Sequence, residues 1–184
     1  KYIFRDPGED ERGFASDLDE CIRKEDIQLI LPTYDDALFH LIGAKEIIPE
    51  HVKVTFPMDH EKIRYVMDKK NIPSICFRAG IDAIPTYPIS GNFKISDIER
   101  VISPYALKLG YGVSGKGFRK VDTLQELKEE LSKIRKIGME DKYLLQKYIS
   151  GTVYGAAGVF EGNVLKHFFS YMYVRRYPQP AGNP

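Results

Sequence analysis

Short apolar segments alternate with amphipathic segments over the first third of the chain, and this alternation constrains the fold more than any other feature. Residues 28–31 (Gln-Leu-Ile-Leu) and 52–56 (Val-Lys-Val-Thr-Phe) are strand candidates. Helical spacing of apolar residues occurs in residues 14–24, in a segment that begins at Asp35, and in a segment that begins after Asp59 and runs to about Lys70. Strand–helix alternation of this kind predicts a parallel α/β layer. Aspartate at a helix start can accept unpaired N–H groups, so Asp35 and Asp59 are expected to stabilise their helices.

The rest of the chain contains strand-like segments, loops and one long helix. The segments that predict strands are residues 74–77, 104–109, 118–121, 143–149, 153–160 and 164–174. Residues 80–92 have the composition of a loop, and Ser96 is expected to cap a short helix. Helical spacing in residues 124–136 predicts an amphipathic helix with four inward side chains, Leu124, Leu127, Leu131 and Ile134. Gly162-Asn163, between the last two strands, predicts a hairpin.

Composition argues against several classes of partner. The 27 basic and 26 acidic side chains give a net charge of +1, which provides no broad field for attracting nucleic acid. Cys21 and Cys76 show no metal-binding spacing, and we expect them to be reduced thiols. No apolar run approaches the roughly 20 residues of a membrane helix. We therefore expect a cytoplasmic protein without nucleic-acid or membrane partners. The absence of an initiator Met and the open C-terminal segment 177–184 lead us to expect a fragment.

A glycine-rich loop lies between two strand candidates at residues 110–117 (Gly-Tyr-Gly-Val-Ser-Gly-Lys-Gly). It matches the dinucleotide fingerprint G-x-G-x-x-G, but a helix should follow that motif and here a strand is expected. It also nearly matches the phosphate loop G-x-x-x-x-G-K-[ST], except that Gly117 replaces the hydroxyl residue. A third interpretation is a hairpin whose backbone N–H groups cover phosphates, assisted by Ser114 and by Lys108 on the preceding strand. A flexible surface hairpin without a ligand is the alternative.

Several segments, in order along the chain, resemble the ATP-grasp family. Residues 104–121 resemble the strand, glycine-rich loop and returning strand of its small lid subdomain, and residues 145–151 resemble its hinge. Residues 31–33 with Asp35, and residues 59–73, resemble the segments that precede the lid. Residues 175–178 (Arg-Arg-Tyr-Pro), with Gly182, resemble the carboxylate–amine ligase and carbamoyl-phosphate-synthase-like branch.

The resemblance implies two groups of site residues. Those expected to contact the nucleotide are His60, Lys108, Gly112, Ser114, Gly115, Gly117, Gln146, Lys147, Tyr148 and Ile149. In the hinge, the backbone at Lys147 and Ile149 would bind the adenine edge. Arg175 and Arg176 are expected to bind a carboxylate or an acyl phosphate during catalysis, with a surface basic pair as the alternative.

The chain departs from the family at some of these positions. His60 stands where the family usually has lysine, so Lys62 is a candidate substitute, and a solvated polar His60 is the alternative. Lys147 replaces the hinge glutamate. No residue is assigned to a metal, because the Mg²⁺ ligands of the family would follow Pro184.

We expect an α/β fold: a parallel α/β domain (residues 1–72), an ATP-grasp lid (73–149) and the start of the large ATP-grasp subdomain (150–184), incomplete at the C-terminus. The resemblance implies an ATP-dependent carboxylate–amine ligase that acts through an acyl phosphate, with ATP and Mg²⁺ as cofactors. Its partners would be a small-molecule carboxylate and an amine. The sequence does not decide whether the chain forms a homodimer. We expect the 184-residue chain alone to be inactive. Two alternatives stay open, a catalytically silent nucleotide-binding regulatory module and a structural domain that binds no nucleotide.

Overall fold

The structure, a computed structural model, describes residues 2–98, 103–112 and 115–175. The chain divides into two compact units, Lys1–Met67 and Asp68–Pro184. The elements of the first unit are α1 (Glu11–Lys24), β1 (Leu29–Ile30), α2 (Asp35–Gly43), a 3₁₀ helix (Lys45–Ile47), β2 (Lys53–Val54) and α3 (His60–Met67). Strands β1 and β2 pair in parallel, as the strand–helix alternation predicted.

The first unit is held together by two clusters of buried side chains. Leu18 and Ile22 of α1 pack with Leu41 of α2 and with Val52. Leu38, Ile42 and Ile63 form the second cluster, which joins α2 to α3. The apolar spacing therefore predicted the buried side chains of α1 and α2, whereas Val66, which has the same spacing in α3, is 49% exposed.

The two aspartates expected to cap helices in this unit behave differently. The Oδ1 atom of Asp59 accepts a hydrogen bond from the backbone N–H of Lys62 at 3.0 Å, so Asp59 stabilises the start of α3 as predicted. At α2 the N-cap residue is Tyr34, and no side chain caps the helix. Asp35 lies inside the first helical turn, where it interacts favourably with the helix dipole.

The second unit is built on a four-stranded sheet with the strand order β3-β6-β4-β5. Its elements are a 3₁₀ helix (Lys69–Asn71), α4 (Ile72–Arg78), β3 (Thr86–Pro88), a 3₁₀ helix (Ile95–Ile98), β4 (Tyr105–Leu109), β5 (Arg119–Val121), α5 (Leu124–Lys136), a 3₁₀ helix (Glu140–Lys142), β6 (Tyr143–Lys147), β7 (Tyr154–Glu161) and β8 (Val164–Met172). All pairs in the four-stranded sheet are antiparallel.

Helix α5 covers one face of this sheet. Its residues Leu127, Leu131 and Ile134 are buried against core side chains of the strands, among them Leu107 and Leu145. The helix begins with a capping box in which Thr123 and Glu126 each accept from the backbone of the other. Amphipathic spacing and cap chemistry thus both agree with the predicted helix.

Four expectations for the second unit are wrong. Ser96, expected to cap a short helix, lies inside the 3₁₀ helix Ile95–Ile98 instead of before it. Residues 74–77 lie in α4 rather than in a strand, because Pro73 occupies its first turn, where the fixed φ of proline suits a helix and no N–H is needed. The expected loop 80–92 contains β3, which pairs with β6 along the sheet edge. Leu124, expected to face inward, is 42% exposed, since it is the first residue of α5 and precedes the turns that contact the sheet.

Strands β7 and β8 form the predicted hairpin as a separate two-stranded sheet. Its large apolar side chains are mostly exposed, including Phe160 at 62%, Phe168 at 64% and Phe169 at 59%. None of the helices in the described parts of the chain has the combined length and apolar character needed to cross a bilayer.

Candidate functional site

The four-stranded sheet has one face in the core and a second face that carries polar side chains. Neighbouring residues of a strand point to opposite faces, so Leu107 of β4 lies in the core while Ala106 and Lys108 face the other way. The pairing register of the strands places one residue from each strand side by side on this second face. Across the sheet from β3 to β5, these residues are Thr86, Gln146, Ala106 and Lys120. The sequence-predicted residues Lys108 and Gln146 therefore share one surface.

Lys108 is the half-buried cation of the second face. Within the described residues, its ammonium group has no carboxylate at ion-pairing distance and forms no hydrogen bond. Burial lowers the pKa of Lys108 below the ordinary value for lysine, and the neighbouring Lys69 cation lowers it further. An unpaired, partly desolvated cation is costly unless an anion joins it, so this position favours a bound anionic group.

The glycine-rich loop follows β4 and leads into β5, as expected, and not into a helix. Three of its glycines have positive φ: Gly112 at 132°, Gly115 at 72° and Gly117 at 73°. A Cβ at Gly117 would also lie 2.8 Å from the Leu109 side chain. Gly117 therefore serves the local packing as well as the turn. Ser114 lies outside the described residues.

The base of the loop is held by hydrogen bonds from two directions. The N–H of Gly110 donates to the carbonyl of Lys142, just before β6, at 2.8 Å. Lys69 approaches from the 3₁₀ helix: its N–H donates to the Gly110 carbonyl at 3.0 Å, and its Nζ lies 3.3 Å from the same oxygen and 2.6 Å from the Gly112 carbonyl. Sequence reasoning missed Lys69, because its partner Gly112 is 43 residues away and no local pattern joins them.

The hinge segment begins at the end of β6. Tyr148 donates its backbone N–H to the Pro104 carbonyl at 2.8 Å. Bonding direction alternates along an antiparallel pair, so the backbone groups of Lys147, the last residue of β6, point away from β4. On that side, β3 pairs with β6 only as far as Thr86 opposite Gln146. The arrangement can therefore offer backbone donors and acceptors to the edge of a planar group.

Side chains around the hinge form a polar and aromatic cluster. Gln146 is 8% exposed, and its Nε2 donates to Oγ1 of Thr86 at 2.6 Å, so this side chain is fixed within the sheet. The ring of Tyr148 lies 6.3 Å from that of Phe118, centroid to centroid. Nζ of Lys120 lies 5.4 Å from the centre of the Tyr148 ring. Phe118 and Lys120 flank the return from the glycine loop, so the loop and the hinge are packed together.

The structure places the other predicted site residues as follows. His60 is the first residue of α3 in the first unit, where its ring lies edge-on to Phe39 at 5.4 Å and its Nδ1 is 3.5 Å from Oε1 of Glu61. Lys62 is paired with Asp59 at 3.2 Å. The Arg175 side chain is exposed. Arg176 lies outside the described residues.

The acidic residue of the β7–β8 hairpin is already engaged. Glu161 at the tip lies 2.9 Å from Nζ of Lys166. Over the parts of the chain that the structure describes, His, Cys, Asp and Glu side chains form no group of three or more that could hold a metal ion.

Comparison with solved structures shows the same fold in several enzymes. Biotin carboxylase from Campylobacter jejuni, solved with a β,γ-ATP compound, is similar over 76% of this chain and 33% of its own, at 18% identity and a TM-score of 0.56. The biotin carboxylase domain of 2-oxoglutarate carboxylase from Hydrogenobacter thermophilus, solved with MgADP, ADP and bicarbonate, is similar over 76% and 32%, at 20% identity and a TM-score of 0.52. D-alanine–D-alanine ligase from Bacillus anthracis is similar over 86% and 58%, at 16% identity and a TM-score of 0.52.

These proteins are ATP-grasp enzymes, so the resemblance stated from the sequence is confirmed at the level of the fold. The chain spans about a third of the two carboxylase chains and 58% of the D-alanine–D-alanine ligase chain. No protein-family model matches the chain, and no curated protein sequence matches it.

Proposed function

We propose that this chain is the ATP-binding part of an ATP-dependent carboxylate–amine ligase. The observation that carries the proposal is Lys108, a half-buried cation without an anionic partner among the described residues, on the strand that leads into the glycine turn. Nucleotide phosphates are anions of the kind that such a position would accept. The fold that the chain shares with ATP-grasp enzymes also supports a nucleotide as the ligand.

In the proposed reaction, a carboxylate oxygen would attack the γ-phosphate of ATP, which gives an acyl phosphate and releases ADP. An amine would then attack the acyl carbon, form the C–N bond with loss of a proton, and displace inorganic phosphate. Lys108 would offset charge on the nucleotide phosphates, and the backbone N–H groups of the glycine turn would face them. The backbone at Lys147 and Ile149 would hold the adenine edge, and the direction of Lys147, away from β4 and beyond the end of β3, supports this assignment. Arg175 and Arg176 would bind the carboxylate or the acyl phosphate. The nucleotide would bring Mg²⁺ with it, an ion that prefers hard oxygen ligands such as phosphate and carboxylate oxygens.

Calorimetric titration of the 184-residue chain tests the binding part of this proposal. ADP and ATP should bind, and adenosine should bind more weakly, because it lacks the phosphates that Lys108 would contact. A chain that binds none of these ligands would support the alternative of a structural domain without a nucleotide site.

The second candidate is a catalytically silent nucleotide-binding module with the same fold. It is favoured by the positions that depart from the family: Lys147 in the hinge, and His60, whose ring packs on Phe39. This candidate is also favoured by Glu161, the acidic residue of the β7–β8 hairpin, because its carboxylate is already paired with Lys166.

Release of ADP separates the two candidates. The chain is incubated with ATP, Mg²⁺ and a panel of carboxylates with and without amines, and ADP is measured. We expect binding without turnover for the chain as it stands. Turnover above background that disappears in Lys108→Ala would show instead that this chain carries a complete ligase site. Turnover only in a longer form of the protein would favour the ligase over the silent module.

A further inference from the structure

Gln146, near the end of β6, has a buried amide side chain. It is 8% exposed, and among the described residues no other amide or charged side chain is as buried. A primary amide has two donor hydrogens and an acceptor oxygen, and buried polar groups of this kind normally have partners. The partners of Gln146 therefore determine what its amide can still bind.

Thr86 of β3 fixes the orientation of this amide. Its hydroxyl donates its single proton to the Ile84 carbonyl at 2.9 Å, and a carbonyl can only accept. The Thr86 oxygen can therefore only accept from Gln146, so the amide atom that lies 2.6 Å from it is the donor Nε2. If the amide turned over, two acceptor oxygens would face each other and a hydrogen bond would be lost. The hydrogen bonds thus leave Oε1 as the free end of the amide.

The Oε1 atom of Gln146 is an acceptor without a partner. Within the described residues it accepts no hydrogen bond, and it is not one of their fully enclosed side-chain atoms that lack a partner. It therefore reaches the surface of the sheet. Lys147, the next residue, has a side chain with donors only. Oε1 of Gln146 is thus the side-chain acceptor that β6 offers beside the hinge.

The strand register places Gln146 between the hinge and Lys108. On the second face of the sheet, Gln146 lies beside Ala106, and Leu144, two residues earlier in β6, lies beside Lys108. Residues two apart in a strand are separated by about 6–7 Å along it. A nucleotide whose phosphates reach Lys108 and whose base reaches the hinge would therefore extend across Gln146.

An acceptor at this position distinguishes purine bases by the group on carbon 6. Adenine has an amino group there, which donates, whereas guanine and hypoxanthine have a carbonyl, which accepts. A carbonyl placed against Oε1 would leave both oxygens unpaired, and a site built to pair one polar group rejects analogues that lack it. An amide held in this orientation therefore favours a 6-amino purine.

We propose that Thr86 is a positioning residue that sets base specificity: it holds the Gln146 amide so that Oε1 faces the base, and the site then accepts 6-amino purines and rejects 6-oxo purines. This role rests on the proposed nucleotide site. It differs from the backbone contacts proposed at Lys147 and Ile149, because Thr86 lies on another strand and acts through the side chain of Gln146.

The test compares Thr86→Val with Thr86→Ser in the full 184-residue chain. Valine suits a strand and has nearly the shape of threonine without the hydroxyl, whereas serine retains the hydroxyl. Thr55→Val, at an exposed position of the first unit, is the matched control. Calorimetry gives the dissociation constants of ADP and IDP, whose purine rings differ only at positions 1 and 6. NMR follows the solvent exchange of the Gln146 amide protons without ligand.

We expect the wild type to prefer ADP over IDP, and Thr86→Val to reduce this preference by about five- to tenfold, because the released amide can turn and donate to a 6-oxo group. Contacts of the hinge backbone with position 1 are the same in all variants, so the change in preference reports on position 6. The Gln146 amide protons should exchange faster in Thr86→Val. Thr86→Ser and Thr55→Val should resemble the wild type in both measurements. If Thr86→Val does not fold, Thr86→Ala should show the same loss of preference.

The outcomes separate this role from the proposed function. A folded Thr86→Val variant with the wild-type ratio of ADP to IDP affinity would overturn the role of Thr86. Equal weakening of both ligands, or unchanged exchange of the Gln146 amide protons, would overturn it as well, because Thr86 would then serve only the general structure of the sheet. A wild type that binds ADP and IDP equally would overturn the role and leave the nucleotide site standing. A wild type that binds neither would overturn the nucleotide site itself.

Discussion

Replacing Lys108 by methionine removes the ammonium group and keeps most of the aliphatic length of the side chain. In the free chain this ammonium group is half-buried and, among the described residues, has no anionic partner. The substitution therefore has two consequences of opposite sign. It should weaken the binding of phosphate-bearing nucleotides, and it should leave the free energy of unfolding unchanged or raise it, because a costly desolvated charge is lost.

The size of the binding effect follows from the surroundings of Lys108. Two unit charges about 4 Å apart attract by about 4 kcal/mol at an effective dielectric constant of about 20, a value suited to partly buried groups. Desolvation of the phosphate offsets part of this attraction, and hydrogen bonds to charged groups contribute about 1.5–3 kcal/mol in net terms. We expect Lys108→Met to weaken ADP binding by about 1–3 kcal/mol, or about 5- to 150-fold in Kd.

Isothermal titration calorimetry with ADP, AMP and adenosine gives the affinities, and thermal melting without ligand gives the stability. Lys128→Met is the matched control, because Lys128 is exposed on the outer side of α5. The loss in Lys108→Met should be largest for ADP and negligible for adenosine.

One result would refute this reasoning directly: a folded Lys108→Met variant that binds ADP as tightly as the Lys128→Met control. Equal weakening of ADP and adenosine would place Lys108 near the base and not near the phosphates. A large drop in melting temperature would show that Lys108 has a stabilising partner in the free chain.

Three further predictions concern pH, packing and helix capping. Because the pKa of Lys108 in the folded chain is lowered from 10.5, the unfolded chain holds more protons between the folded-state pKa and 10.5. The stability of the wild type relative to Lys108→Met should therefore rise with pH across that window, in denaturant titrations, while ADP affinity falls as the cation is lost. Gly117→Ala should destabilise the chain by about 1–3 kcal/mol more than Gly138→Ala, because both positions have positive φ but only Gly117 would bring a Cβ within 2.8 Å of Leu109. Equal losses in urea unfolding would mean that Leu109 moves aside. Thr123→Ala should cost about 1 kcal/mol through loss of the capping box at α5, whereas Thr123→Ser should retain it. A Thr123→Ala variant with unchanged urea unfolding would show that the cap is dispensable.

Elements that depend on local periodicity could be predicted from the sequence. The spacing of Leu127, Leu131 and Ile134 was sufficient to predict α5, because these residues lie within a few positions of one another. The same holds for the β7–β8 hairpin, whose turn residues and apolar strands are adjacent. α4 was mistaken for a strand because a run of four apolar and small residues fits either structure, and the position of Pro73 decides between them.

The site could be predicted only in part, for a physical reason. Lys108 and the glycines are neighbours in sequence, so a short motif identifies them together. The contact of Lys69 with Gly112, and that of Gln146 with Thr86, join residues 43 and 60 positions apart. Pairings of this kind are set by strand register and by the path of the chain, which a single sequence does not reveal.

The β7–β8 hairpin has a consequence for how the second unit unfolds. It forms a sheet of its own, and its large apolar side chains remain mostly in water. Isolated two-stranded hairpins are marginally stable, and weakly packed segments open at low free energy while the rest of a protein stays folded. Residues 154–172 should therefore open and close many times before the four-stranded sheet melts once. A melting curve followed through a global signal would miss these openings, so a ligand that ordered the hairpin could bind without raising the melting temperature.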